Sequence, residues 1–303
     1  MVAASDKIRR ARPLLGTFVE IEVAGAARSE MDAAVDAAFE TVASVHRLMS
    51  FHEPDSDVSR INREACLRPT WVNAATFEVL KAAVEMHRRS NGVFDIAVAP
   101  TLQAIGLLPP SDDGMPISAG QRSSNAIELL PGQTVWFRHH DIRIDLGGIA
   151  KGFAVDRALE TLRLFKMPAG IVNAGGDLAV FGQYAQTIHI RHPRDPGRSI
   201  ARVEVTDEAL ASTARRFDLI QSTETAASAI IDPGTRRPAH TVDGATVRAS
   251  SCMVADALTK IVMISGTDAI GLLEHYNASA LLISMDGDVH ITPDWHHAVH
   301  VAA

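Results

Sequence analysis

The sequence predicts an α+β fold, one two-lobed unit with mixed sheets and packed helices. Stretches with helical apolar spacing and short β-branched runs are mixed along the chain without strict alternation. No fixed-period repeat and no linker divides the 303 residues, so residues 1–303 read as a single domain. With 47% hydrophobic and 21% charged residues, 20 Gly and 14 Pro, there is ample material for a core.

Leu14 to Val23 reads as a half-buried strand, with Phe18, Glu20 and Glu22 on one parity. Ser29 to His46 carries a helical stripe of Met31, Val35, Ala38, Phe39, Val42 and Val45, with Ser29 as the expected N-cap. Phe51 to Asp57 is a polar, turn-rich loop. A second amphipathic helix follows Asn73 and ends near Asn91-Gly92. Pro109 to Gly120 is expected to be an exposed connection. Ile127–Leu130, Val135–Phe137 and Ile142–Asp145 read as short strands, and Ala150 to about Leu164 as a helix. Ile171–Asn173 and Leu178–Phe181 flank a tight Gly175-Gly176 turn, and Thr187–His192 and Arg202–Val205 continue the β pattern. A helix runs from about Asp256 to Ile264 and stops at Gly266, and another covers Thr267–Tyr276. Leu281–Ser284 and Val289–Ile291 form a hairpin around Asp286-Gly287-Asp288.

The formal net charge of −7 leaves no electrostatic footprint for nucleic acid or an anionic membrane, while a local pocket can still take a small anion. The two cysteines, Cys66 and Cys252, make neither a disulfide framework nor a cysteine-rich zinc site. No apolar run reaches the length of a membrane span, and the first residues lack a secretory pattern. The expected location is the cytoplasm, or the periplasm if an export signal has been removed. His139-His140 and His296, His297 and His300 cluster in sequence but are expected at the surface, and no Ser-His-Asp or His-Glu-x-x-His pattern occurs.

Four segments carry possible chemistry. In Asp145-Leu146-Gly147-Gly148-Ile149-Ala150-Lys151-Gly152 a strand ends in an acid, two glycines turn the chain and a Lys opens a helix. Glycines admit a ligand to the backbone, helix-start amides attract anions, and Lys151 adds a point charge for phosphate. The plainer alternative is a strand-to-helix turn with a surface Lys. Asn173-Ala174-Gly175-Gly176-Asp177 is either a simple hairpin or a turn that holds a sugar or base edge. Asp232 before Pro233 starts a turn, and Asp256 with Thr259 and Lys260 is either a hard-cation site or an ordinary helix start.

Taken in order, these segments resemble the ApbE family of FAD:protein FMN transferases. The resemblance begins at Leu14-Leu15-Gly16-Thr17 and runs through Met49-Ser50-Phe51, Ser59-Arg60-Ile61-Asn62 and Gly92-Val93-Phe94-Asp95. Its centre is Asp145 to Asp156, followed by Asn173–Leu178, Ala211-Ser212-Thr213, Ile230-Ile231-Asp232-Pro233 and Ala255-Asp256-Ala257-Leu258. It implies a T-fold-like architecture with FAD in a cleft between lobes. It also implies transfer of FMN from FAD to a Thr or Ser hydroxyl of an acceptor protein, assisted by Mg²⁺, with release of AMP. By position, Phe51 matches an aromatic packed on the flavin, and Asn173, Gly175, Gly176 and Asp177 match nucleotide contacts. Ser212 and Thr213 fall near the substrate, and Leu15, Gly16, Asp95, Ile231 and Asp232 join the cofactor site. Lys151, Asp256 and Thr213 are the expected catalytic residues. Asp256, the backbone oxygen of Gly148 and Thr259 are the expected metal ligands.

Two positions depart from the family pattern. Ala229 stands where many members have His, and Lys260 stands where members commonly place a metal-binding Thr. These departures keep two other readings open, a flavin-binding protein without turnover and a metal-dependent FAD pyrophosphatase that yields FMN and AMP.

Overall fold

Strict alternation marks one strand of the central sheet. In the strand Thr17–Ala24, Val19, Ile21 and Val23 are fully buried while Phe18 is 70% exposed. The computed structural model describes residues 7–110, 123–183, 185–215 and 228–301, apart from the side chain of Pro196.

Eight strands form the main sheet: Lys7–Leu14, Thr17–Ala24, Ala169–Ala174, Asp177–Phe181, Ala209–Ala214, Val242–Ala249, Ser279–Ser284 and Val289–Ile291. They lie side by side in the order in which they occur in the chain, and every neighbouring pair is antiparallel. The sheet is thus a meander whose connections carry everything else. Helices α1 (Arg28–Met49), α2 (Asp57–Glu64), α3 (Ala74–Arg89), α4 (Ala99–Ala104) and α5 (Ala150–Leu164) fall between its second and third strands. Helices α6 (Cys252–Ser265) and α7 (Ile270–His275) fall between its sixth and seventh.

α1, α5 and α6 pack together on one face of the sheet. The other face carries a second apolar cluster. There Leu178, Val180, Leu210, Leu281 and Ile283 meet Ile190, Val203, Val205 and Trp295 from the hairpin Gln186–His192/Asp195–Val205 and the C-terminal segment. A sheet covered on both faces has strands without polar alternation, and all of Asp177–Phe181 is buried. The outcome is the α+β class expected from the sequence.

Several boundaries differ from expectation for identifiable reasons. The strand expected at Leu14–Val23 is two strands joined at Leu15-Gly16, whose φ angles of 57° and 70° make the tight turn. Its first half is rich in arginine, which finds acids across the sheet and on α1: Arg9 pairs with Glu20, and Arg10 with Asp32 at 2.5 Å. Ser29 is not the cap of α1; Ala27 holds that position without a side-chain bond. Ile142–Asp145 is not a strand, because the Asn62 side chain takes both backbone groups of Ile144, at 2.8 and 2.9 Å, in place of a partner strand. α2 was hidden within the polar region after Phe51; Ser56 caps it by accepting from the Ser59 amide at 3.0 Å. Thr267–Tyr276 begins as a 3-10 turn before α7. Most of the expected connection from Pro109 to Gly120 lies outside the described residues. The five clustered histidines are exposed, although His300 belongs to a short strand, Val299–Val301.

Candidate active site

A cleft of about 970 Å³ opens between the hairpin-covered face of the sheet, the Gly147–Lys151 turn and the segment around Ile230. That is at the upper end of the roughly 300–1,000 Å³ of small-molecule sites. Leu15, Gly16, Asn173, Gly175, Gly176, Ser212, Thr213 and Ile231 line it, as do Gly148 and Lys151.

The Asn173–Asp177 turn is built by its glycines. Gly175 and Gly176 have φ of 68° and 105°, and the Asn173 side-chain oxygen accepts from the Gly176 amide at 2.9 Å. A Cβ on Gly175 would come within 2.6 Å of Thr17 Oγ1. The turn therefore locks onto the Leu15–Thr17 hairpin beside it. From the other side, the Ser212 amide donates to Gly176 O at 3.1 Å.

The floor of the cleft is a cluster of four charges. Lys151, in the first turn of α5, donates to the buried Asp177 carboxylate and lies 3.7 Å from Asp256 Oδ1. Asp256 is on α6 and fully buried; its Oδ2 accepts from the Gly152 amide at 3.0 Å. Lys260, one helical turn after Asp256, donates to the same carboxylate and to Thr259 Oγ1 at 3.1 Å and Thr213 Oγ1 at 3.3 Å. Thr259 Oγ1 donates to Asp256 O at 2.7 Å and is 2.9 Å from Thr213 Oγ1.

Burial opposes charge on Lys151, but Asp177 and Asp256 outweigh it and raise its pKa. Burial also opposes charge on Asp256; Lys151 and Lys260 prevail and hold its pKa below the ordinary value. Asp177 goes the other way, pushed up by burial and by the neighbouring Asp256 charge. The acids lie at the back, with side chains 2% and 0% exposed, and the ammonium groups lie in front, with side chains 31% and 15% exposed. The cleft thus meets a positive surface inside an acidic chain.

The Asp145–Asp156 segment has a second, structural logic. Gly152 lets α5 touch the start of α6, since a Cβ there would fall 2.3 Å from Cys252 O. Asp156 then accepts from the amides of Cys252 and Met253 at 2.8 and 2.9 Å, closing the N-terminus of α6. One segment therefore places Lys151 on the cleft and fixes the helix that carries Asp256 and Lys260. Cys252 itself is buried, which pushes its thiol pKa well up and leaves it without nucleophilic character.

Other expected site residues are placed differently. Phe51 is half-buried against the main core and is not part of the cleft lining. Asp95 borders the cleft, but its carboxylate is engaged in structure: it accepts from the Ala97 amide and Ser124 Oγ, both at 2.7 Å. Asp232 lies outside the lining and serves its turn, accepting from the Gly234 amide and Thr235 Oγ1 at 2.8 Å each. Ala229 faces the cleft, where its methyl group offers no proton transfer. Sequence reasoning missed His189 and Arg191, which reach the cleft from the hairpin strand. Their spacing of two with Thr187 was the available signal.

The expected metal ligands do not fit a divalent ion as arranged. Mg²⁺ requires near-octahedral oxygen ligands, and here an ammonium group occupies the space among the oxygens of Asp256, Thr259 and Thr213. Among the described residues no group of three or more His, Cys, Asp or Glu side chains could hold a metal ion.

Fold and cleft together define an α+β protein whose binding surface suits a phosphorylated ligand. Residues 15–283 match the ApbE family, and the chain belongs to that family. It is 28% identical over 283 residues to an FAD:protein FMN transferase of Vibrio cholerae, spanning 87% of this chain and 83% of that protein. A Treponema pallidum protein of the same description is 25% identical over 305 residues, spanning 91% and 84%. Among solved structures, an ApbE protein from Thermotoga maritima has the same fold, with a TM-score of 0.86, 24% identity and coverage of 97% of this chain and 99% of that one.

Proposed function

We propose that the protein is an FAD:protein FMN transferase. The carrying observation is the two-lysine floor beneath the glycine turn, in a cleft large enough for a dinucleotide, within a chain of the ApbE family. Lys151 neutralises the FAD diphosphate, and the Asn173–Gly176 turn and Ser212 hold the nucleotide through backbone and hydroxyl groups. The oxygen of an acceptor Thr or Ser bonds to the FMN phosphorus, the bond from that phosphorus to the bridging oxygen breaks, and AMP departs. The hydroxyl proton is released in the same exchange. The enzyme's share is positioning and charge stabilisation rather than covalent chemistry. The Mg²⁺ expected from the resemblance has no step in this scheme.

Ala229 favours one competing reading, flavin binding without turnover, because the cleft has no base at that position. Incubation with FAD, with and without a Thr-bearing acceptor protein, separates the readings. Covalent FMN on the acceptor with equal AMP supports transfer. AMP and free FMN without acceptor indicate a pyrophosphatase, and bound FAD without AMP indicates a binder.

A further inference from the structure

We propose that this protein binds the FAD diphosphate without a divalent cation, with the Lys260 ammonium supplying the charge that a metal would bring. The inference rests on the FAD reading above and concerns what neutralises the ligand.

The position of Lys260 is determined by its surroundings. Its stem passes Gly148, where a Cβ would lie 3.5 Å from Lys260 Cγ and 3.7 Å from Cε. Its head group meets three acceptors, the Asp256 carboxylate, Thr259 Oγ1 and Thr213 Oγ1, which match its three donors. The contact with Thr213, at 3.3 Å, is the longest of these, and Thr213 lines the cleft. It is the bond that a phosphate oxygen replaces most readily.

The local charges lead to the same conclusion. Lys151 and Lys260 balance Asp177 and Asp256, so the cluster is neutral before a ligand arrives. A divalent ion at Asp256 would sit beside two ammonium groups and be repelled by both. To admit it, Lys260 would have to withdraw from the Asp256 carboxylate and from the Thr259 and Thr213 hydroxyls. Asp256 would still have Oδ2 committed to the Gly152 amide. An anionic diphosphate meets none of these obstacles, since the ammonium groups are the part of the cluster nearest the cleft.

The test is FAD affinity, read from flavin fluorescence in EDTA and again in excess Mg²⁺. The wild-type protein should bind FAD equally in both buffers. Lys260→Thr should bind roughly ten-fold or more weakly in EDTA, the loss expected for one charge-assisted bond, and should recover in Mg²⁺ because a hydroxyl now stands beside Asp256. Lys260→Met should be weak in both. Circular dichroism confirms that each variant folds, and the wild-type comparison decides the matter even if neither does. Wild-type binding that requires Mg²⁺ overturns this inference and leaves the FAD reading intact. Undiminished FAD binding by Lys260→Met in EDTA also overturns it. Absence of FAD binding in both buffers overturns both.

Discussion

Replacing Lys151 with Met separates what the residue does for folding from what it does for ligand binding. The ammonium group is the partner of Asp177, whose side chain is 2% exposed, and stands 3.7 Å from Asp256 Oδ1. Breaking a buried pair costs about 3–5 kcal/mol. Lys151 is 31% exposed, so solvent screens part of the pair and about 2–3 kcal/mol is the expected destabilisation. The same substitution removes a charged hydrogen bond to phosphate, worth about 1.5–3 kcal/mol, or roughly 10- to 150-fold in Kd. The double variant Lys151→Met/Asp177→Asn removes both charges. It should regain most of the lost stability in thermal melts and none of the lost FAD affinity in fluorescence titration. If the double variant binds FAD as tightly as wild type, or the single variant never loses affinity, Lys151 does not meet the phosphate and the reasoning fails.

Other substitutions test the supporting structure. Gly152→Ala places a methyl 2.3 Å from Cys252 O, against backbone that cannot yield cheaply; a loss of about 1–3 kcal/mol or more in denaturant melts is expected, with weaker FAD binding because α5 and α6 separate. Burial pushes the Asp156 carboxyl up to about 6 from 3.8, so between those values the folded protein holds more proton than the unfolded chain. Its contribution to stability is complete below that window and is lost as pH rises through about 6. Melts across pH 4–7 should therefore show a falling component that Asp156→Asn lacks; identical slopes would contradict this. Ala229→His places an imidazole on the cleft wall and should raise FMN transfer at least about a hundred-fold, the lower end of general-base effects, with FAD affinity unchanged. An unchanged rate would show that proton removal at that position does not limit transfer.

Much of this was legible where the signal is local. α5 runs from Ala150 to Leu164 as its apolar spacing predicts, and α3 begins after Asn73, whose side chain accepts from the Ala75 amide at 2.9 Å. The Gly175-Gly176 turn was equally plain, because positive φ at successive residues calls for glycine. The first strand was obscured because its arginines look like surface until their acids on the next strand and on α1 are known. Ile142–Asp145 misled because a side-chain amide imitates a strand edge, an arrangement that leaves no periodic trace.

The site was legible residue by residue but not as an arrangement. Lys151, Asp177 and Asp256 were each singled out, yet their meeting depends on α5 touching α6 at Gly152, a contact between residues about a hundred positions apart. Asp156 went unassigned for the same reason, since its partners are the amides of Cys252 and Met253. The plainer alternative for the Asp145–Gly152 segment is met only in its second half: no strand precedes the turn, the turn leads into a helix, and Lys151 faces a cleft.

The most direct test of the account is a crystal structure with FAD bound. The account predicts the diphosphate over the N-terminal turn of α5, within hydrogen-bonding distance of Lys151 Nζ, with the nucleotide against the Asn173–Gly176 turn and Ser212. Electron density placing the diphosphate away from Lys151, or FAD outside this cleft, would contradict it.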